Sequence, residues 1–270
     1  MFGSSRESLA GLRNAVQSHR GAADFRMSAS ELLAVAAVLA GEKSLRQTLA
    51  DAGTPSQARI ALVDSVFGGR TSETCIAMLR QCVSARWSTD ADLVDAVELL
   101  AIQMLCVCAQ DSGALDTVEE ELFLFGRAVA SAPQLQMTLT DPALPASAKA
   151  DVVSSLLAGR GHDITVELLT HTVSHLGGQR LDAAIEDLVA VAADQRNRLV
   201  AHVTSAIDLD DTQTGRLRTA LSTLTGRDIN VNITVDRGVI GGISVRLGDE
   251  IIDGTVASRL AAARTQLLND

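Results

Sequence analysis

The sequence predicts a mainly α-helical protein in which two tandem copies of a helical bundle precede a small α/β module. Three observations support this fold class. Only 2% of the 270 residues are aromatic and none is Tyr, so the core must consist of Ala, Leu and Val, which favours close-packed helices. The sequence matches itself at an offset of 90 residues, and its apolar pattern changes from helical to strand-like after residue 200. The predicted parts are residues 1–90, 91–200 and 201–270.

The internal repeat is strongest between Glu31–Arg70 and Glu121–Arg160, which align without a gap. The chain has only four prolines, and two of them match in register, so composition alone does not explain the repeat. The matched pairs include Glu31/Glu121, Leu45/Leu135, Thr48/Thr138, Asp51/Asp141, Pro55/Pro145 and Gly69/Gly159. We therefore expect both copies to fold as the same set of helices.

Helix boundaries within the copies are indicated by capping patterns and by prolines. Ser28, Thr89 and Thr117 are each followed three residues later by an acidic residue, which is the pattern of a reciprocal cap at a helix start. Pro55 and Pro145 occupy positions that suit a first helical turn. These signals predict several helices of moderate length in each copy.

The C-terminal module follows a connecting helix over residues 180–199, whose leucines share one face. Short or alternating apolar runs predict four strands, at residues 203–207, 229–235, 243–247 and 250–252. Between the first two strands, Leu217, Leu221 and Leu224 share one face of a predicted helix. A final helix is expected from Thr255.

The charge distribution argues against a nucleic-acid-binding protein. The formal net charge is -10, and the few cations are scattered without a basic run. The longest apolar stretch, Leu32–Ala40, has nine residues, whereas a spanning helix needs about 20, so we expect no direct membrane insertion. Between Ser88 and Gly126 there are nine acidic residues and no Lys or Arg. This run is typical of a solvated face, but it is also suited to steering a basic partner.

No pattern in the sequence predicts a catalytic residue, a cofactor or a metal ion. His171 and His175 lie one helical turn apart, with Glu167 one turn earlier, which is the spacing of metal ligands. A zinc-enzyme helix would carry a carboxylate directly after the first histidine, and Thr172 stands there instead. Amphipathic helices without a catalytic constellation favour a protein-binding function.

The cysteines are expected to be reduced and buried. All four lie in apolar helical patterns of a chain with an intracellular composition, at Cys75, Cys82, Cys106 and Cys108. Residues two apart on a helix point to different sides, so Cys106 and Cys108 are not expected to hold one ion.

A distinctive motif lies between Val239 and Leu260. It consists of a Gly-Gly strand, a Gly-Asp turn, an Ile-Asp-Gly-Thr-Val step and an Arg-Leu helix start. Its residues are Gly241, Gly242, Gly248, Asp249, Ile252, Asp253, Gly254, Thr255, Val256, Arg259 and Leu260. This motif resembles the delta subunit of bacterial F-type ATP synthases, a family related to the mitochondrial oligomycin-sensitivity-conferring protein. The resemblance implies that residues from about 95 onwards already complete one subunit, so the chain is similar to a long form with a duplicated N-terminal bundle.

The resemblance implies a non-catalytic stator subunit. In that family the subunit ties the catalytic head to the peripheral stalk, so that the head does not turn with the rotor. The expected partners are the N-terminal helices of the alpha subunits, which enter an apolar groove of the bundle, and the b subunit, which binds the C-terminal region. The expected location is the cytoplasmic face of the bacterial plasma membrane, as a peripheral part of the complex.

Candidate partner-binding residues are taken from apolar helix faces. The candidates for the head are Leu9, Leu12 and Val16, or their repeat counterparts Leu99, Ile102 and Cys106. The candidates for the stalk are Val256, Leu260 and Leu267. The same stripes are equally suited to closing the chain's own core. Asp249 and Asp253 are interpreted as turn and helix-start residues, and Gly241 and Gly254 as backbone positions without room for a Cβ.

Two other functions remain open at this stage. One is a metal-dependent enzyme that uses Glu167, His171 and His175, and the other is a helical adaptor unrelated to ATP synthase. Metal analysis of the purified protein distinguishes a metal-dependent enzyme from a structural subunit. The motif between Gly241 and Leu260 argues against the second.

Overall fold

The computed structural model of the chain describes residues 4–196, 199–207, 209–225, 229–236, 242–247 and 250–253. The chain divides into two compact units, Met1–Gln195 and Arg196–Asp270, which we call the helical unit and the C-terminal unit. Each unit has its own hydrophobic core. The described part of the first is helical and that of the second is α/β, so the predicted fold class is confirmed.

The helical unit contains eleven helices among its described residues. They are α1 (Ser4–Ser18), α2 (Phe25–Gly41), α3 (Lys43–Ala50), α4 (Ser56–Phe67), α5 (Glu73–Ser84), α6 (Asp90–Asp111), α7 (Leu115–Ser131), α8 (Pro133–Thr140), α9 (Ala146–Leu157), α10 (Asp163–Ser174) and α11 (Leu181–Arg196). Helices α2 to α5 recur as α7 to α10, with every boundary shifted by 90 residues. Gly69 and Gly159 follow α4 and α9 in the left-handed conformation, at φ 69° and 68°, which glycine adopts without strain. The internal repeat is therefore confirmed.

Helix α6 is the central helix of this unit. Of its 22 residues, 14 are buried, including every residue of the run Leu100–Val107. A helix that is buried on all sides needs neighbours on all sides. Helix α2 lies along it, and α1, α3, α5, α7 and α10 also contact it. The hydrophobic core therefore runs without a break from Leu12 in the first copy to Ala192 in the second.

The repeated acidic residues have a structural role that explains their recurrence. Glu31 on α2 accepts a hydrogen bond of 2.8 Å from the backbone N–H of Ser72, the residue that caps α5. Its counterpart Glu121 on α7 accepts a hydrogen bond of 2.9 Å from the backbone N–H of His162, which caps α10. Each carboxylate thus ties its own helix to the amide-rich start of a later one, where negative charge is favoured.

The capping predictions are partly confirmed. The Thr89 side chain accepts a hydrogen bond from the backbone N–H of Asp92 at the start of α6, as predicted. The predictions for Ser28 and Thr117 are wrong, because α2 and α7 begin earlier, at residues 25 and 115. The Asp24 carboxylate instead accepts hydrogen bonds from the backbone N–H and hydroxyl of Thr74 on α5, and these bonds lower the pKa of Asp24. A contact between the start of α2 and helix α5 thus takes the place of the predicted local cap at Ser28.

The C-terminal unit contains a four-stranded sheet among its described residues. Its strands are β1 (Leu199–Ser205), β2 (Ile229–Val235), β3 (Ile243–Leu247) and β4 (Glu250–Asp253), in the order β2-β1-β3-β4. Helix α12 (Asp211–Thr225) connects the parallel pair β1 and β2, while β3 is antiparallel to both β1 and β4. The core side chains are Ala201, Val203, Leu221, Ile229 and Val245.

The bounds of the connecting helix and of the first strand differ from the sequence prediction, and so does one core residue. The connecting helix ends at Arg196 rather than at residue 199, and β1 spans Leu199–Ser205 rather than residues 203–207. The reason is that seven residues of β1 pair in register with all seven residues of β2, so strand pairing outweighs the helical pattern. Leu224 is exposed, although its spacing from Leu221 predicts a shared buried face.

Most of the family-like motif lies outside the described residues. This applies to its residues Gly241, Gly248, Asp249, Gly254, Thr255, Val256, Arg259 and Leu260. The predicted final helix, with the candidate residue Leu267, also lies outside the described residues. Gly242 is described and has φ 83°, a conformation that favours glycine. Asp253 is the last residue of β4, where it pairs with Ser244.

The thiols provide a test of the helical core. Cys75, Cys82 and Cys106 are buried, and burial raises the pKa of Cys75 and of Cys82 to about 12. Burial also raises the pKa of Cys108, which is partly exposed. We expect maleimide at pH 7 to label Cys108 first and the other three only after unfolding, as measured by peptide mass spectrometry. Rapid labelling of Cys75 in the folded protein would contradict this core.

Candidate partner-binding surfaces

The candidate head-binding residues lie on α1 and α6, and most of them are core residues. Leu12, Val16, Ile102 and Cys106 are buried in the hydrophobic core of the helical unit. The remaining pair of equivalent candidates, Leu9 and Leu99, is partly exposed. In this structure a partner helix can therefore reach the two predicted stripes only at these two leucines.

The seam between α6 and α10 carries the histidines of the hypothetical metal site. His171 Nε2 lies 3.0 Å from Glu98 Oε1, and the His171 and His175 rings stack with their centroids 4.6 Å apart. Glu167, the third predicted ligand, forms an ion pair with Arg26 on α2. Among the residues that the structure describes, no group of three or more His, Cys, Asp or Glu side chains is arranged to hold a metal ion.

The acidic run between Ser88 and Gly126 is largely occupied within the chain. Two of its carboxylates reach from the second copy to the first: Asp92 accepts from the Ser5 hydroxyl at 2.8 Å, and Asp111 pairs with Arg20. Asp90, the last residue of the first copy, accepts from Arg46 Nε at 2.9 Å. Glu98 and Glu121 bind His171 and the His162 backbone, as described above. The run therefore contributes to holding the two copies together, a role that the sequence alone did not indicate.

Four members of the acidic run are exposed: Asp95, Asp111, Asp116 and Glu120, of which Asp111 pairs with Arg20. Partial burial raises the pKa of the Asp95 carboxyl, and the neighbouring Glu98 adds to this effect. Asp116 and Glu120 lie on the outer face of α7, one turn apart. Negative surface charge is thus concentrated near the start of α7.

Exposed apolar side chains are unequally distributed between the copies. In the second copy, Phe123 and Leu124 on α7, Met137 on α8 and Leu156 on α9 each have at least half of their surface exposed. Their counterparts 90 residues earlier are Leu33, Ala34, Gln47 and Val66, of which Leu33 is buried and none is a large exposed apolar side chain. Sequence reasoning missed this surface, although comparing the two copies position by position would have flagged Leu124, because its counterpart is the small residue Ala34.

The C-terminal unit exposes fewer large apolar groups. Among the described residues these are Ile207 after β1, Leu224 on α12 and Val235 at the end of β2. Strand β2 lies at an edge of the sheet. The predicted stalk-binding residues Val256, Leu260 and Leu267 lie outside the described part of this unit. In the described part of the whole chain, no helix has the length and apolarity needed to cross a membrane.

Comparison with known proteins gives a consistent result. The profile of the family described as ATP synthase delta (OSCP) subunit matches residues 103–267. Proteins named ATP synthase subunit delta from Parafrankia sp. (strain EAN1pec) and Acidothermus cellulolyticus are 41% and 43% identical, each over 99% of both chains. The one from Streptomyces avermitilis is 42% identical over 98% of both chains. The family assignment suggested by the glycine motif is confirmed: the chain belongs to the ATP synthase delta (OSCP) subunit family.

Proposed function

We propose that this chain is the non-catalytic stator subunit of an F-type ATP synthase. It links the catalytic head to the peripheral stalk and resists rotary torque during proton-driven ATP synthesis. The observation that carries the proposal is the similarity over nearly the full length to proteins named ATP synthase subunit delta. This similarity includes the first helical copy, so the long form is shared with these relatives.

The division into two units supports a linking role. Each unit has its own core and offers its own surface, so one chain provides two points of attachment. When a chain binds two sites of one assembly, the second binding step becomes intramolecular and its effective concentration is high. Such a linker resists detachment under load without a catalytic group.

The proposed partners are helices. We assign the N-terminal helices of the alpha subunits to the helical unit, and the b subunit of the stalk to the C-terminal unit. Both contacts are of the helix-in-groove type, in which burial of apolar surface stabilises the complex. The proposed location is peripheral, on the cytoplasmic face of the bacterial plasma membrane.

The proposal is tested by size-exclusion chromatography of the full chain. We expect the chain to co-elute with a catalytic head purified without its delta subunit and, in a second run, with the soluble part of the b subunit. If the folded chain forms neither complex, the stator function is wrong, and an adaptor unrelated to ATP synthase becomes the better hypothesis. The variants Leu9→Ser and Leu99→Ser compare the two copies, because these residues occupy equivalent, partly exposed positions.

Metal analysis tests the enzyme alternative. If near-stoichiometric zinc or iron stays bound after dialysis and is lost in His171→Ala, a purely structural function is wrong. We expect no such metal, because Glu167 is paired with Arg26 and His171 with Glu98.

A further inference from the structure

The outer side of α7 carries a stripe of exposed side chains. At about 100° of rotation per residue, the members of this stripe lie within an arc of about 100°. They are Asp116, Glu120, Phe123, Leu124, Arg127 and Ser131, and we call them the α7 face. The buried side chains of α7 lie on the opposite side of the helix, in the core, and are Leu115, Val118, Leu122, Phe125 and Val129.

The first copy does not repeat this pattern. The counterparts on α2 are Arg26, Ser30, Leu33, Ala34, Ala37 and Gly41. Of these six, only Ala34 and Gly41 are exposed, and both are small. Leu33 is 4% exposed, whereas Phe123 and Leu124 are 52% and 51% exposed. The α7 face is therefore a feature of the second copy.

The side chains of the α7 face are arranged symmetrically about the centre of the stripe. Phe123 and Leu124 form the centre, with Glu120 three residues before Phe123 and Arg127 three residues after Leu124. A two-fold axis through this centre sets a second α7 antiparallel to the first. Glu120 of each chain then lies opposite Arg127 of the other, and Phe123 lies opposite Leu124. The α7 face is thus complementary to itself, as an interface with two-fold symmetry must be.

The two central charges do not neutralise each other within one chain. Glu120 and Arg127 are about 10 Å apart along the helix axis, with the two apolar side chains between them. In the part of the chain that the structure describes, neither forms an ion pair. A parallel pair of α7 helices would place like charges side by side. The antiparallel pair instead joins opposite charges twice, which fixes its orientation and register.

The other charges around the α7 face are carboxylates. Asp116 lies one turn before Glu120, and Glu119 beside it is partly buried. On α11, Glu186 is exposed and follows Ile185, whose Cγ2 would lie 3.1 Å from a Cβ on Gly126. These groups disfavour an acidic partner, while Arg127 disfavours a purely basic one. A second copy of the chain offers both signs of charge in matching positions.

We propose that the α7 face binds the α7 face of a second copy of this chain, as an antiparallel helix pair with its two-fold axis between Phe123 and Leu124. Such a contact closes on itself, so it produces a dimer and not a filament. Each chain contributes two large apolar side chains, which makes the interface small and the dimer weak and reversible. The inference goes beyond the proposed function and does not depend on it, because a stator subunit needs no self-association.

Sedimentation equilibrium of the full chain tests the dimer. We expect the mean mass to rise from that of a monomer towards that of a dimer between about 5 µM and 500 µM, the range of weak interfaces. The double variant Phe123→Ser, Leu124→Ser should raise the dissociation constant at least about tenfold, because central apolar anchors dominate such interfaces. Its melting temperature, measured at a concentration where both proteins are monomeric, should stay within about 2 °C of the wild type, since both side chains are half exposed.

A matched control removes exposed apolar side chains from the equivalent helix of the first copy. Met27 and Val38 on α2 are 54% and 45% exposed. The double variant Met27→Ser, Val38→Ser should dimerise like the wild type, because its α7 face is intact. An equal loss of dimer in both double variants would show that exposed apolar area in general drives association, and would overturn the inference.

Exchanging the two charges tests the orientation of the pair. Glu120→Arg alone and Arg127→Glu alone each set like charges opposite one another, and each should raise the dissociation constant at least about fivefold. Both substitutions in one chain should restore the dimer, because opposite charges then face each other again. An equimolar mixture of the two single variants should form a heterodimer for the same reason. A non-specific charge effect would produce neither rescue.

Three results would overturn the inference. The first is a monomer at every concentration, and the second is a dimer that the serine double variant leaves unchanged. The third is a failure of the charge exchange to restore the dimer in a folded protein. If the wild type stays monomeric and the serine variant loses binding to the catalytic head or to the b subunit, another protein covers the α7 face, and a second copy is not its occupant.

Discussion

A chain that begins at residue 91 is expected to aggregate or to lose cooperative unfolding, although it retains the region that matches the family profile. The reason is helix α6, which is buried on all sides in the full chain. Removing the first 90 residues takes away α2, the helix that lies along α6. It also takes away α1, α3 and α5, which contact α6 as well. The side of α6 that faced them would then be exposed to water.

The exposed side would be largely apolar. All eight residues of the run Leu100–Val107 are buried in the full chain, and all of them except Gln103 are apolar. Large apolar patches on a soluble monomer promote association. Two groups of the second copy would also lose their partners, because Asp111 and Glu167 pair with Arg20 and Arg26.

The measurement compares the truncated and full chains by light scattering after size-exclusion chromatography and by thermal unfolding. We expect the full chain to elute as a defined species and to unfold cooperatively. The truncated chain is expected to elute in the excluded volume or to show a broad, weak transition. A monomeric truncated chain with an undiminished melting temperature would show that the two copies are independent, and that the shared core adds little stability.

The dependence of one copy on the other was not accessible from the sequence. The offset of 90 residues predicts two equivalent copies, and the helix boundaries confirm that equivalence. Periodicity shows which residues of α6 are apolar, but it does not show that α6 is covered by helices of both copies. Contacts such as Arg26 with Glu167 join residues 141 positions apart, and no local pattern indicates such a pair.

The sequence alone also does not show which apolar stripes form binding surfaces and which form the core. A stripe such as Leu12 and Val16 is apolar whether it faces a partner or the chain's own core, and the structure places both residues in the core. Ser28 has the pattern of a cap, but the Asp24 and Glu31 carboxylates reach across to α5, and α2 starts before Ser28. In contrast, β2 and β3 were predicted correctly, because alternation along a strand is a local property.

The substitution Leu100→Asp is expected to unfold the helical unit, with a loss of more than about 4 kcal/mol. Leu100 is 0% exposed at the start of the buried run of α6, so a carboxylate there would have neither water nor a partner. The same substitution at Leu156 on α9 is the matched control. Leu156 is 50% exposed, and Leu156→Asp should change stability by less than about 1 kcal/mol.

Hydrogen exchange with mass spectrometry distinguishes unfolding of one unit from unfolding of the whole chain. In Leu100→Asp we expect amide protection to be lost throughout α1 to α11 and retained in β1, β2 and β3, because the C-terminal unit has its own core. Loss of protection in both units would show that they fold as one cooperative body. Retained protection in α2 and α7 would show that the core of the helical unit tolerates a buried charge, and α6 would then not be its centre. The expected pattern would leave a chain with a folded C-terminal unit and no helical unit, which on the proposed function still binds the b subunit but no longer the head.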